Sequence, residues 1–162
     1  MRTRVLTLTL VGFCLAVGAS ACGGDDEPND ATAATVEQVN GICTDWKATL
    51  DERGDFPVDE FDPENPSPDD LPAVGEYFAS GEPAADEAIA ELRALSPPAE
   101  VEADIDALVS TLEEQLENAK TQAAAAKTRD VAGFTATLDA ASTSMEAVKE
   151  AADELGTPSC SF

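Results

Sequence analysis

The sequence predicts an all-α protein, an up-and-down bundle of four helices, on three observations. Apolar residues recur at alternating steps of three and four through most of residues 36–155, the period of one helix face. No segment alternates apolar and polar residues with period two, so no strand is expected. Prolines and glycines gather at a few points and divide the chain into helical lengths.

The first helix is expected over residues 33–50, where Val36, Val39, Cys43, Trp46 and Leu50 form one apolar stripe. Gly41 inside it costs about 1 kcal/mol relative to alanine, so packing has to hold this helix. Gly54 is its stop. Residues 55–70 then carry Pro57, Pro63, Pro66 and Pro68, which forbid a continuous helix. Phe56, Val58 and Phe61 are placed to pin that loop to the helices.

The second helix is expected over residues 71–95. Leu71, Val74 and Phe78 share a face that Ala85, Ala88, Leu92 and Leu95 continue. Gly81 and Pro83 interrupt its middle and predict a kink or a split into two shorter helices. Ser96 is expected as the N-cap of the third helix, with Pro97 at its first position. That helix runs over residues 97–127 on Val101, Ile105, Leu108, Leu112, Leu116, Ala119 and Ala123. The run Ala123 to Ala126 suits close helix packing.

Asp130 is expected to cap the fourth helix, which reads as unbroken to Leu155. Its stripe is Val131, Phe134, Leu138, Ala141, Met145, Val148, Ala152 and Leu155. Gly156 and Pro158 then stop it, so residues 157–160 are expected to be non-helical. Short turns between the last three helices make neighbours antiparallel.

The N-terminal segment is an address. Arg2 and Arg4 precede an apolar run of thirteen residues, Val5 to Val17. Spanning a bilayer takes roughly 20 residues, so residues 1–21 read as a signal peptide. Ala19-Ser20-Ala21-Cys22 resembles the lipobox of bacterial lipoproteins, although Ala19 stands where that family prefers leucine. The resemblance implies a diacylglyceryl group on the Cys22 thiol and Cys22 as the mature N-terminus. Ordinary secretion is the rival reading, because Ala19-Ser20-Ala21 also fits an A-x-A cleavage site.

Cysteine arithmetic favours the lipid. Loss of residues 1–21 removes Cys14 and leaves Cys22, Cys43 and Cys160, an odd number for an exported protein. With lipid on Cys22, Cys43 and Cys160 remain as one pair. A disulfide from the first helix to the C-terminal tail is therefore expected. The pair has neither a C-x-x-C arrangement nor a nearby base, so its expected role is structural. Residues 22–35 are small, polar and acidic and read as a flexible tether; residues 36–162 form the helical bundle domain.

A second resemblance covers most of the mature chain. Cys43 in the first helix, Leu92-Arg93-Ala94-Leu95-Ser96-Pro97-Pro98, Arg129-Asp130-Val131-Ala132-Gly133-Phe134, and Leu155-Gly156 ahead of Cys160 carry it. These residues resemble small, Ala-rich, acidic lipoproteins of high-GC Gram-positive bacteria. That group has no established activity, so the resemblance implies a fold and an address and no mechanism.

Composition narrows the function. The 162 residues carry 33 acids, 9 bases and no histidine, a formal net charge of −24. From Cys22 onward, 33 acids stand against 7 bases, a net charge of −26. Without histidine there is no Ser-His-Asp or Cys-His catalysis and no His-ligated zinc. An acidic surface repels phosphate, so nucleic acid is not an expected partner. No cofactor motif is present, and no enzyme is expected. Paired carboxylates acting as acid and base are the remaining catalytic alternative.

Two acidic features are candidate sites. Residues 55–70 hold seven carboxylates, among them Asp59, Asp62, Glu64, Asp69 and Asp70, in numbers that suit Ca²⁺. The EF-hand pattern and its glycine are absent, and a solvated loop is the simpler reading. Glu87/Glu91, Glu102/Asp106, Glu113/Glu117, Glu146/Glu150 and Glu150/Glu154 stack like charges one turn apart. They read as a solvated outer face, or as a surface for a cationic partner. Trp46 and Tyr77 read as core aromatics rather than a pocket.

The expected function is thus a lipid-anchored module on the extracytoplasmic face of the cell membrane, binding or interacting without catalysis. The alternative is a carrier of a small ligand or cation in an interhelical groove or the loop 55–70.

Overall fold

The computed structural model describes residues 30–161. The chain is all-helical: α1 (Asp30–Asp51), α2 (Leu71–Ala94), α3 (Ala99–Lys127), a short α4 (Val131–Ala136), α5 (Leu138–Leu155) and a closing 3₁₀ turn, Pro158–Cys160. Among the described residues there is no strand, and no helix long and apolar enough to cross a membrane. The signal peptide at 1–21, the lipidation site Cys22 and Phe162 lie outside the described residues.

Helix α1 begins at Asp30, so residues 30–35, assigned to the tether, are helical instead. Ala31, Ala33 and Ala34 supply the propensity that an apolar period does not reveal. Thr35 is buried, and its Oγ1 donates to the Ala31 carbonyl at 2.9 Å.

The loop 55–70 is docked, as its aromatic residues predict. The Phe56 ring lies 5.4 Å from Phe61 and 5.2 Å from Tyr77, and Phe61 meets Phe134 edge-on at 5.9 Å. Together with Val58 they pack on a small core of Leu71, Val74, Ala126 and Phe134.

Helix α2 is one helix and not two: it continues through Gly81 and Pro83. A proline removes one helical hydrogen bond, and packing on both sides of the defect offsets that loss. Gly81 lies against Leu50 of α1 and Arg53 of the turn after it, while Ala85, Ala88, Ile89 and Leu92 enter the main core. That core also takes Val39, Cys43 and Trp46 from α1, Val101, Ile105, Leu108, Val109 and Leu112 from α3, and Val148, Ala151, Ala152 and Leu155 from α5.

Ser96 is not the N-cap of α3, and Pro97 is not its first residue. Helix α3 starts at Ala99 with Pro98 as its cap, and the Pro98 carbonyl accepts from the amides of Val101 and Glu102 at 3.1 Å. The ring of Pro98 disfavours helical backbone at Pro97, so a Pro-Pro pair delays the start.

The fourth expected helix is interrupted at Thr137. Its start is as predicted: the Asp130 carboxylate accepts from the Gly133 amide at 2.9 Å. The Thr137 hydroxyl and amide then both donate to the Phe134 carbonyl, which closes α4 after six residues. Beyond the break the buried positions are Ser144, Val148, Ala151, Ala152 and Leu155. Met145, expected in the core, is 52% exposed, while Ser144 is 2% exposed.

Gly156 ends α5 with φ at +74°, but the tail is not wholly non-helical as expected: Pro158–Cys160 form a 3₁₀ turn that directs the chain back. Cys43 and Cys160 form a disulfide with a Cα separation of 5.0 Å, joining positions 117 apart in sequence. Asn40 brackets the joint. Its amide donates to the Gly156 carbonyl, and its carbonyl accepts from the Ser159 amide.

Candidate functional site

Small residues face one another where α1, α2, α3 and α5 meet. Gly81 and Ala85 of α2, Ala119 of α3 and Ala141 of α5 surround a cavity of about 340 Å³. Met145, the side chain large enough to fill it from α5, sits at its edge in solvent. The volume lies at the low end of the range for small-ligand pockets, roughly 300–1,000 Å³. Trp46, Leu50, Phe78, Leu112 and Leu116 complete the apolar wall. Trp46 is mainly a core residue, as its stripe predicts, yet it also lines this space.

The polar lining is sparse: Arg53, Glu82, Gln115, Gln122 and Ser144. The Ser144 hydroxyl donates to the Ala141 carbonyl at 3.0 Å and keeps its acceptor capacity. Gln122 is 8% exposed, and among the described residues its carboxamide makes no hydrogen bond. Arg53 is held by the carbonyls of Leu50 and Tyr77 and lies over the Tyr77 ring.

The predicted acidic site is not assembled. Among the described residues no group of three Asp, Glu or Cys side chains is arranged to hold a metal ion, so Asp59, Asp62, Glu64, Asp69 and Asp70 are not brought together. Asp62 is used locally, its Oδ1 accepting from the amides of Glu64 and Asn65. The like-charged pairs stand outward: every member except half-buried Glu113 is exposed. Glu113 pairs with Arg93 across α2 and α3.

Arg53, Gln122 and Ser144 were not singled out from the sequence. Gln122 and Ser144 interrupt apolar stripes as ordinary polar residues do, and no local pattern separates them from surface positions. Arg53 carries a usable signal: it follows the last apolar residue of a helix and directly precedes the Gly54 stop.

Comparison with protein-family models, curated proteins and solved structures finds no match.

Proposed function

We propose that the protein is a lipid-anchored, extracytoplasmic binding module, and that its binding element is the cavity beside Trp46. The cavity is the observation that carries this reading, because it joins apolar walls to a few convergent polar groups. Of the two alternatives read from the sequence, the interhelical groove is preferred to the acidic loop. The groove has walls, whereas the loop carboxylates are dispersed. A non-catalytic role is favoured because the chain lacks histidine and Glu82 is the single acid in the lining.

An up-and-down four-helix bundle is the proposed arrangement. Pairs that bridge neighbouring helices run in opposite directions along the chain. Asp86 meets Lys120 and Arg93 meets Glu113 between α2 and α3, so these two helices are antiparallel.

The address rests on Arg2, Arg4, the short apolar run and Ala-Ser-Ala-Cys. Pairing of Cys43 with Cys160 leaves Cys22 as the odd cysteine after cleavage, consistent with lipid there. Resemblance to the Ala-rich lipoproteins of high-GC Gram-positive bacteria points the same way.

Trp46 is the only tryptophan and lines the cavity, so its emission reports on binding there, and a cavity-filling variant separates that signal from any other change around the indole. Titration with 1-octanol is expected to shift that emission to the blue as the alcohol displaces water from the indole. Ala119→Leu, which fills the space, is expected to abolish the shift. No shift, or one untouched by Ala119→Leu, refutes the cavity reading. For the address, Cys22→Ser is expected to move the protein out of the membrane fraction or leave the precursor uncleaved. Wild-type protein in the medium without lipid mass on its N-terminal peptide refutes that half.

A further inference from the structure

Resting on the cavity reading, we propose that the site selects a carboxylate-headed amphiphile, one carboxylate on a short apolar tail, with Arg53 as the specificity-determining residue. Arg53 is fixed in place by its own surroundings. Its Nε donates to the Leu50 carbonyl at 3.0 Å and its Nη1 to the Tyr77 carbonyl at 3.2 Å. Its Cζ lies 4.5 Å from the centroid of the Tyr77 ring. Gly81 makes room for it, since a Cβ there would come within 2.6 Å of Nη1.

A guanidinium carries about five N–H donors, and those two bonds leave about three unused. The chain holds 33 acids, and four of the bases pair with acids among the described residues. Arg53 is not among them, although it lines the cavity. A preorganised fork beside an apolar wall, lining the cavity with Glu82 but in no ion pair, fits a carboxylate from outside.

Gln122 is an independent sign of a polar head. Its side chain, 8% exposed, lines the same cavity, makes no hydrogen bond to the protein among the described residues, and offers a donor to a carboxylate oxygen. The remaining wall, chiefly Trp46, Leu112, Leu116 and Ala85, suits a hydrocarbon tail. Size limits that tail. At ~30 Å³ per water-sized group, the volume of about 340 Å³ takes roughly eleven such groups, the scale of an eight-carbon acid. The net charge of −24 opposes any anion, and it opposes a doubly charged phosphate more than the single charge of a carboxylate.

The test compares octanoate, 1-octanol and octyltrimethylammonium on the full chain as purified from cells, read by Trp46 emission. Octanoate is expected to bind about tenfold more tightly than octanol, and the cation most weakly. Arg53→Gln is expected to bring octanoate down to the octanol level and to leave octanol binding unchanged. Arg53→Lys, which keeps charge without the fork, is expected to fall between the two. Equal binding of octanoate and octanol by the wild type, tightest binding of the cation, or equal weakening of both ligands by Arg53→Gln overturns the selectivity. The three-way comparison on the wild type needs no variant to fold. If none of the three ligands shifts Trp46 emission, the cavity reading itself fails.

Discussion

Glycines at positions 41 and 75 look alike in the sequence and face opposite demands. A Cβ added at Gly41 meets nothing within 4 Å, so this glycine only weakens the exposed side of α1. At Gly75 the same Cβ lies 2.9 Å from the Ala123 carbonyl and 2.9 Å from the Lys127 amide. Helix α3 approaches α2 there through its backbone, which cannot step aside as a flexible side chain does. Gly41→Ala is expected to raise stability by about 1 kcal/mol, the propensity difference in a helix interior. Gly75→Ala is expected to lower it by about 1–3 kcal/mol, the usual cost of overpacking. Urea unfolding of both variants checks this, and two shifts of the same sign count against the packing argument. The helical cost of Gly41 was legible because it is local. The need for Gly75 was not, because it comes from a segment some fifty positions away. Gln122 and Arg53 were hidden for the same reason: burial and an unfilled cavity wall are tertiary facts.

Elements fared better than residues where one local cause set their ends. The Asp130 cap, the Gly54 and Gly156 stops and the docking of the proline loop through Phe56 and Phe61 all follow from side chains within a few positions. Expectations failed where two local rules competed. An unbroken period of three and four predicted one fourth helix, but hydroxyl-to-carbonyl bonding at Thr137 ends α4 and exchanges the places of Ser144 and Met145. At Ser96 a good capping residue lost to the steric effect of Pro98 on Pro97. The disulfide was legible by elimination, although the tail reaches Cys43 as a 3₁₀ turn supported by Asn40. It closes a long loop, and chain-entropy models assign such a loop about 4–5 kcal/mol. The double variant Cys43→Ser/Cys160→Ser is expected to unfold at a lower urea midpoint by a sizeable part of that amount. An unchanged midpoint would show that α1 is held by the core alone.

Charge acts on the whole molecule. The four ion pairs among the described residues, Lys47–Asp51, Arg93–Glu113, Lys120–Asp86 and Lys149–Asp153, are all solvent-accessible and so contribute little. Against them stands a net charge of −24, with five like-charged pairs one turn apart on α2, α3 and α5. Each such pair costs roughly 0.2–0.5 kcal/mol, so the repulsion between them that salt can screen is about 1–2.5 kcal/mol. Folding concentrates these charges, which the unfolded chain spreads apart, so screening favours the folded state. Between low salt and about 0.5 M NaCl the Debye length falls from tens of ångströms to a few, shorter than the spacing of all but adjacent charges. Tm is therefore expected to rise by roughly 3–8 °C over that range. A flat or falling Tm would place the repulsion in the unfolded chain as much as in the folded one. CaCl₂ at equal ionic strength separates screening from a site. Because Asp59, Asp62, Glu64, Asp69 and Asp70 do not converge, calcium is expected to stabilise little more than sodium does. A gain several times larger would require those carboxylates to close around the ion, a rearrangement of the loop that Phe56 and Phe61 hold against Tyr77 and Phe134.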